Sequence, residues 1–135
     1  MAVVALLMGT TAQCQLDLAE EKELVTKTIE LYFDGWGTGD SVKLGKAMHP
    51  TCHLKFFRDG KFTDMDRATY LSRFKARERD RELITRVVQM DITENIASAK
   101  TEIITAKDIF TDYFNLIKTD EGWFIVDKVS VRKAK

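Results

Sequence analysis

The sequence has little of the charge imbalance and few of the metal-binding side chains that mark several classes of function. Among its 135 residues, Lys and Arg number 21 and Asp and Glu number 21, so the formal net charge is zero. A strongly basic surface, typical of nucleic-acid-binding proteins, is therefore not expected. The two histidines, His49 and His53, are separated by the helix-ending Pro50, and no third ligand has metal-binding spacing. We predict no nucleic-acid partner, no metal and no cofactor.

Long apolar runs are also scarce, and the main one stands at the beginning of the chain. Residues Ala2–Met8 are apolar and Gly9–Ala12 are small, but the run is too short to cross a bilayer. It resembles the end of a secretory signal peptide that lacks its basic start, with cleavage before Gln13. The alternative is an apolar arm packed on the domain. We predict a leader remnant over residues 1–15, a domain over residues 16–135, a periplasmic or secreted location, and no membrane partner.

Cysteines and catalytic signatures are equally sparse. Cys14 and Cys52 are the two cysteines, and nothing in their spacing specifies a disulfide. We expect Cys52 to be a small buried apolar residue. The GWGTG sequence at residues 35–39 follows a helix rather than a strand and lacks the lysine of a phosphate-binding loop. No Ser-His-Asp or Cys-His arrangement is readable.

What the sequence does contain is a clear order of helical and strand patterns. Apolar residues recur at helical spacing over Glu20–Trp36. Asp40 or Ser41 is the candidate N-cap of a second helix, and Asp66 is that of a third. The Asp59-Gly60 pair predicts a hairpin turn. The remaining runs predict strands at 52–58, 61–63, 83–93, 96–106, 111–118 and 123–132. We predict an α+β fold in which a curved antiparallel sheet forms a cone around three N-terminal helices.

Two segments resemble a known superfamily. They are LYFDGWGTGDSVKLGKAMHPTCHLKFF at residues 31–57 and DYFNLIKTDEGWFIVDKVSV at residues 112–131. Both are similar to the nuclear transport factor 2-like, or cystatin-like, superfamily, and most closely to its lumazine-binding family of small bacterial proteins. The likeness covers about residues 18–132 and implies the cone-shaped fold. It implies less about function, because this fold carries many activities.

The superfamily includes ketosteroid isomerase, and this resemblance can be carried over residue by residue. The pocket tyrosine of that enzyme matches Tyr32, and a later strand aspartate matches Asp112, whereas its general-base aspartate falls at Phe56. The resemblance implies that Tyr32 and Asp112 meet within about 3 Å as donors to a ligand oxygen. Without the base, steroid-type isomerisation is not expected. The structural alternative makes Tyr32 a core tyrosine and Asp112 an acid bonded to Tyr32 or His53.

The predicted site is one mostly apolar pocket inside the cone, typical of a small-molecule site. The candidate ligand-binding residues are Tyr32, Trp36, Met48, Leu54, Phe56, Tyr70, Phe74, Asp112, Phe114 and Asp127. The candidate catalytic residues are Asp112, Tyr32 and His53.

From this pocket we predict binding of a small apolar or aromatic ligand, and from the leader remnant we predict export. The resemblance implies a homodimer, because such proteins commonly pair through the open sheet face, and the last strands here are rich in outward aromatic and β-branched residues. Two alternatives stay open. One is a cofactor-independent lyase, isomerase or cyclase, and the other is a dimeric interaction module without a ligand.

Overall fold

The computed structural model describes residues 6–135, with side chains from Asp17 onward. The predicted leader at residues 1–15 and the side chain of Cys14 lie wholly or partly outside that range and are not tested. Within it, no helix is long and apolar enough to cross a membrane. The elements are α1 Leu6–Thr38, α2 Ser41–Ala47, β1 Met48–Arg58, β2 Lys61–Asp66, α3 Arg67–Leu71, β3 Ile84–Thr93, β4 Ile96–Ile104, β5 Asp108–Thr119 and β6 Gly122–Ala134. This order confirms the predicted α+β class.

The six strands form one curved sheet in the order β2-β1-β6-β5-β4-β3. Neighbouring strands are antiparallel except β1 and β6, which run parallel. The prediction of a wholly antiparallel sheet is therefore wrong for this one pair of strands. The chain leaves β2, crosses to the far edge and returns through four meandering strands, so β6 arrives beside β1 in the same direction. Two sequence-distant strands thus meet at the centre of the sheet.

Local sequence explains the hairpin and the start of the first strand. Asp59 and Gly60 both have positive φ, 50° and 75°, as a type I′ turn requires. Pro50 lies inside β1 rather than at the end of a helix, and the pairing of β1 with β6 is interrupted between Met48 and His53. Because proline has no N–H to donate, it is tolerated where the ladder is broken.

The core lies between α1 and the face of the sheet that α1 covers, here called the inner face. From α1, Val25, Ile29, Tyr32 and Phe33 are buried at helical spacing. They share one core cluster with buried side chains of the strands, which include Ala99, Ile103, Phe114, Leu116 and Ile125. Each large apolar side chain so buried contributes about 1.5–3 kcal/mol. The opposite, outer face carries exposed residues that include Tyr113, Val129 and Val131.

Between α3 and β3 the chain runs without helix or strand over residues 72–83 and contacts the end of α1. Arg77 donates a hydrogen bond of 2.5 Å to the carbonyl oxygen of Trp36, and its guanidinium lies 5.5 Å from the indole ring centre. Gly39 has φ 67°, and a Cβ there would lie 1.9 Å from the Lys75 carbonyl oxygen. This close approach requires glycine, and it seats the segment against the turn between α1 and α2.

Candidate functional site

The inner face carries a row of polar side chains between two apolar rows. Thr101, Asp112 and Ser130 are paired across β4, β5 and β6, and we call these three residues the polar row. On one side of it, Ile103 pairs with Phe110, and on the other, Ala99 pairs with Phe114, which pairs with Lys128. Thr101 and Asp112 are fully buried. Buried polar groups need partners, so the contacts of this row decide what it can do.

Lys128 is the centre of the polar contacts. Its Nζ donates to the Tyr32 hydroxyl oxygen at 2.7 Å and lies 3.2 Å from Asp112 Oδ2. The Ser130 hydroxyl donates to Asp112 Oδ1 at 2.5 Å. The ammonium group also lies 5.2 Å from the ring centre of Tyr32 and 5.3 Å from that of Tyr70, within cation–π range. We call these five residues the Lys128 cluster.

The two tyrosines of the Lys128 cluster form a directed pair. Their hydroxyl oxygens are 2.7 Å apart. Lys128 has no acceptor atom and therefore donates to Tyr32. Tyr32 is fully buried, so its own proton is best placed on the Tyr70 oxygen. In the described part of the chain, this order leaves the Tyr70 proton free to donate to another group.

Burial and charge set the protonation of these groups. Burial, followed by the neighbouring Tyr70 and Asp112, raises the pKa of Tyr32 well above its ordinary value. Burial likewise raises the pKa of Tyr70. For Lys128, burial is the largest single influence and opposes the charged form, but the interactions with Asp112 and Tyr70 together outweigh it and the pKa is raised. At neutral pH the tyrosines are therefore neutral donors, and Lys128 is a cation rather than an amine nucleophile.

Two atoms of the polar row have no hydrogen-bond partner within the described residues. They are Thr101 Oγ1 and Asp112 Oδ2, and both are buried. The Lys128 ammonium is close to Asp112 Oδ2 but outside hydrogen-bond geometry. An unsatisfied buried polar atom costs about 1–3 kcal/mol. Among the described residues, the inner face thus holds a hydroxyl without a hydrogen-bond partner and a carboxylate oxygen whose close neighbour is the Lys128 ammonium.

The structure brings together several of the predicted site residues. The rings of Tyr32 and Phe114 are in edge contact, with centres 5.0 Å apart, and Tyr70 contacts Phe74 at 4.9 Å. The direct hydrogen bond expected between Tyr32 and Asp112 is not found, because Lys128 lies between them. Of the remaining predicted ligand-binding residues, Met48 and Leu54 are core side chains, and Trp36, Phe56 and Phe74 are partly buried against the core.

Two predicted residues lie on the outer face, away from the Lys128 cluster. His53 is about half exposed, and its Nδ1 lies 2.7 Å from Asp64 Oδ1. It alternates along β1 with the buried residues Cys52 and Leu54, so its side chain points to the other side. Asp127 accepts from Lys55 Nζ at 2.6 Å. The structure does not bring either residue into contact with Tyr32 or Asp112.

A β-bulge explains why Lys128 was missed and Asp127 was selected. Counting alternate residues from the buried Ile125 places Asp127 inside and Lys128 outside. In the structure Leu116 pairs with Ile125 but Asn115 pairs with Asp127, so Val126 is an extra residue in β6. The extra residue reverses the alternation, and Lys128 becomes the inward side chain. No periodicity in the sequence signals this reversal.

Cys52 behaves as predicted for a buried apolar residue. It is a fully buried free cysteine. Burial raises the pKa of its thiol to about 12. A thiol in this state is not a nucleophile at neutral pH. Cys52 therefore belongs to the core and not to the chemistry of the site.

Two surface clefts lie outside the Lys128 cluster. One, of about 430 Å³, lies between the α1–α2 turn and the segment at residues 72–83, and it includes Phe74 from the predicted pocket. The other, of about 360 Å³, is lined by residues of β3, β4, β5 and β6 that include Ile96, Asn115 and Val126. On the inner face, Tyr32 and Phe114 are buried.

The family is shown by comparison with known sequences. A family model described as "Putative lumazine-binding" matches residues 20–130, and the chain belongs to this family. The resemblance predicted from residues 31–57 and 112–131 is thereby confirmed. No curated protein matches the sequence.

Solved structures confirm the fold class. The chain is similar to an NTF2-like protein of unknown function from Shewanella baltica, with TM-score 0.78, 21% identity, and coverage of 87% of this chain and 97% of that one. An NTF-2 like protein of unknown function from Silicibacter pomeroyi has TM-score 0.76, 19% identity, and coverage of 86% and 98%. A domain of unknown function with a cystatin-like fold from Nostoc punctiforme has TM-score 0.64, 16% identity, and coverage of 86% and 79%. At these identities the likeness concerns the fold.

Proposed function

We propose that the protein is an exported binder of a small, flat, partly apolar molecule held against the Lys128 cluster. The single observation that carries the proposal is the side chain of Lys128, only 6% exposed, whose ammonium group lies near two tyrosine rings on the inner face. A buried cation with oriented neutral donors is costly to maintain. Such groups are typical of the few polar anchors in an otherwise apolar binding site.

The contacts of the Lys128 cluster define what the ligand must present. Tyr70 has a proton without an acceptor among the described residues, and Lys128 supplies a positive charge behind it. Both favour a ligand oxygen that carries partial negative charge, such as the carbonyl of a conjugated ring. The rings of Tyr32 and Phe114 offer an apolar surface for the rest of the ligand. A conjugated heterocycle with carbonyl groups satisfies both requirements.

The ligand would enter from the side of Tyr70 and Phe74. Tyr70 belongs to the five-residue helix α3, and Phe74 lies in the irregular segment that follows. Phe74 also borders the 430 Å³ cleft. Short helices and irregular segments open at lower free energy than the sheet. We infer that α3 and residues 72–83 move aside to admit the ligand, after which Tyr70 closes over it.

Lumazine, a flat conjugated ring system with two carbonyl groups, is the first probe to use, because the family description names it. Binding is measured by isothermal titration calorimetry on the folded protein. We expect saturable binding that Tyr70→Phe weakens about 3- to 10-fold, the scale of one lost hydrogen bond. Tyr113→Phe is the matched control, since Tyr113 is exposed on the outer face, and it should leave the affinity unchanged.

Other outcomes would overturn this proposal. Absence of saturable lumazine binding at millimolar concentration would remove it. Equal weakening by Tyr70→Phe and Tyr113→Phe would show that the ligand does not contact the Lys128 cluster.

Catalysis by a lyase, isomerase or cyclase is the weaker candidate on this geometry. Asp112 is held by Lys128 and Ser130, which ties up the carboxylate that a proton transfer would need. His53 is paired with Asp64 on the outer face, and Phe56 stands where the isomerase resemblance places a general base. The arrangement therefore favours binding over proton abstraction. Lumazine recovered unchanged after prolonged incubation is the expected result.

We further propose that the protein forms a homodimer through its outer sheet face. Tyr113 and Val129 are paired across β5 and β6, next to Val131, and all three are exposed. A contiguous exposed apolar patch favours an interaction site. Light scattering at micromolar concentration should give twice the monomer mass, and Val131→Lys should halve it. A monomer mass for the unmodified protein would contradict the proposal.

A further inference from the structure

We propose that Thr101 and Asp112 recognise the N–H and C=O edge of a cyclic amide or ureide. In this arrangement a ligand N–H donates to Asp112 Oδ2, and the adjacent ligand C=O accepts from the Thr101 hydroxyl. The inference rests on the proposed function, because it names the group of the ligand that hydrogen-bonds to the same inner face. It starts from two buried atoms of the polar row, Thr101 Oγ1 and Asp112 Oδ2, that have no hydrogen-bond partner among the described residues, although Asp112 Oδ2 lies 3.2 Å from the Lys128 ammonium.

The placement of the two side chains suits such an edge. Thr101 and Asp112 are directly opposite each other on β4 and β5, and opposed residues have Cβ atoms about 4.5–5.5 Å apart. Both point to the inner face and are fully buried. An amide edge presents a donor and an acceptor side by side. One rigid group can therefore bond to both side chains at once.

The charges select a neutral donor. Asp112 Oδ1 already accepts from Ser130, and Lys128 already balances the carboxylate charge. A second cation at Oδ2 would lie against the Lys128 ammonium and be repelled. An anion would be repelled by Asp112 itself. A neutral N–H can donate a hydrogen bond to Asp112 Oδ2 without adding a charge.

Aromatic rings flank the polar row along both sides. Tyr32 and Phe114 are in edge contact on one side, and on the other Trp36 and Phe110 are in edge contact with ring centres 5.3 Å apart. A flat ring that reached the polar row would lie between these two aromatic pairs. The class that fits the row and its walls together is therefore a planar heterocycle containing a lactam, imide or ureide group.

The experiment compares two ligands that differ only in the N–H group. Lumazine has ring N–H groups beside its carbonyls, and in 1,3-dimethyllumazine both of these nitrogens carry methyl groups. Calorimetric titration of the full chain should show lumazine binding at least 10-fold more tightly. Thr101→Val should weaken lumazine binding about 3- to 10-fold. Thr111→Val is the matched control, because Thr111 is adjacent to Asp112 but pairs with the exposed Val131 on the other face, and it should change nothing.

Asp112→Asn is the second variant, because it replaces an acceptor with an amide of nearly the same shape. It should reduce the preference for lumazine over the dimethyl compound at least 3-fold. Circular dichroism checks that each variant is folded. Retention of the full preference in a folded Asp112→Asn protein would overturn the inference.

The remaining outcomes separate this inference from the proposed function. If both compounds bind with equal affinity, the protein binds the heterocycle without a hydrogen bond from its N–H group, and only the inference fails. If neither compound binds, the proposed function fails with it. If Thr101→Val shifts the melting temperature but leaves lumazine affinity unchanged, the Thr101 hydroxyl serves the fold and not the ligand, and the inference is wrong.

Discussion

Two lysine–aspartate pairs contain neighbouring residues of β6 and yet lie in opposite surroundings. Lys128 points to the inner face and pairs with Asp112, with side chains 6% and 1% exposed. Asp127 points to the outer face and pairs with Lys55, with side chains 30% and 35% exposed. Each pair consists of one lysine and one aspartate, so the two pairs have the same charges. The comparison therefore isolates the effect of burial on an ion pair.

Burial gives the inner pair a cost that the outer pair does not have. An ion pair removed from water often stabilises a fold no better than apolar residues of the same volume, whereas loss of one partner is strongly destabilising. An exposed pair contributes about 0–1 kcal/mol and is screened by salt. The inner pair is therefore better explained by its role at the inner face. It places a positive charge there, and Lys128 orients the linked hydroxyls of Tyr32 and Tyr70. The outer pair needs no such explanation.

The largest effect is expected from removing the inner lysine. Lys128→Met should lower the free energy of unfolding by about 3–5 kcal/mol, because Asp112 is left buried without its counter-charge. Lys55→Met should lower it by less than about 1 kcal/mol. Urea unfolding monitored by circular dichroism measures both values.

A double substitution sharpens the same comparison. Adding Asp112→Leu to Lys128→Met removes the second charge, so part of the lost stability should return. Equal costs for Lys128→Met and Lys55→Met would show that the inner pair is no different from the outer one.

A smaller effect is expected when only the negative charge is removed. Asp112→Asn leaves the Lys128 ammonium without a counter-charge, but it keeps the shape of the side chain, a hydrogen bond with Ser130 and an amide oxygen beside the ammonium. The fold should therefore persist at a cost below that of Lys128→Met, about 1–3 kcal/mol. Asp127→Asn, the matched change on the outer face, should cost less than about 1 kcal/mol. Thermal melts of both variants test the difference, which disappears if burial is irrelevant.

Alkaline pH should act on the inner face through Tyr32, Tyr70 and Lys128. Each has a pKa raised by folding, so its contribution to stability is full below the unfolded-state pKa of about 10. That contribution is lost as pH rises through the higher folded-state pKa. We expect constant stability from pH 7 to about 10 and a decline above it.

Phenolate absorbance distinguishes this origin from a general effect of alkali. In a Tyr113→Phe background, the remaining tyrosines are Tyr32 and Tyr70. Their absorbance should appear together with the loss of far-ultraviolet circular dichroism, because both ionise only as the fold opens. Phenolate absorbance that appears while the circular dichroism is unchanged would contradict the burial of the pair.

The smallest effect is the response of the outer pair to salt. A double-mutant cycle on Lys55 and Asp127 should give a coupling of a few tenths of a kcal/mol at low salt and none at about 1 M salt. The same cycle on Lys128 and Asp112 should change little, because ions do not reach the inner face. Equal salt sensitivity of the two cycles would argue against the difference in burial.

The order of elements was predictable because it depends on local patterns. The apolar spacing of α1, the positive-φ turn at Asp59 and Gly60, and the capping residues Asp40 and Asp66 all act over a few residues. The resemblance at residues 31–57 and 112–131 added the family. The strand count and the α+β class follow from signals of this kind.

The composition of the site was decided by the tertiary structure. The burial of Tyr32 and Asp112 was predicted in part, but the residue between them was not, because the extra residue Val126 reverses the alternation of β6. The same reversal places Asp127 on the outer face. Thr101 became a candidate only when the structure placed it opposite Asp112, with Thr101 Oγ1 and Asp112 Oδ2 lacking a hydrogen-bond partner among the described residues. Local sequence determines which elements form, whereas the direction of a side chain after a bulge depends on register with a distant strand.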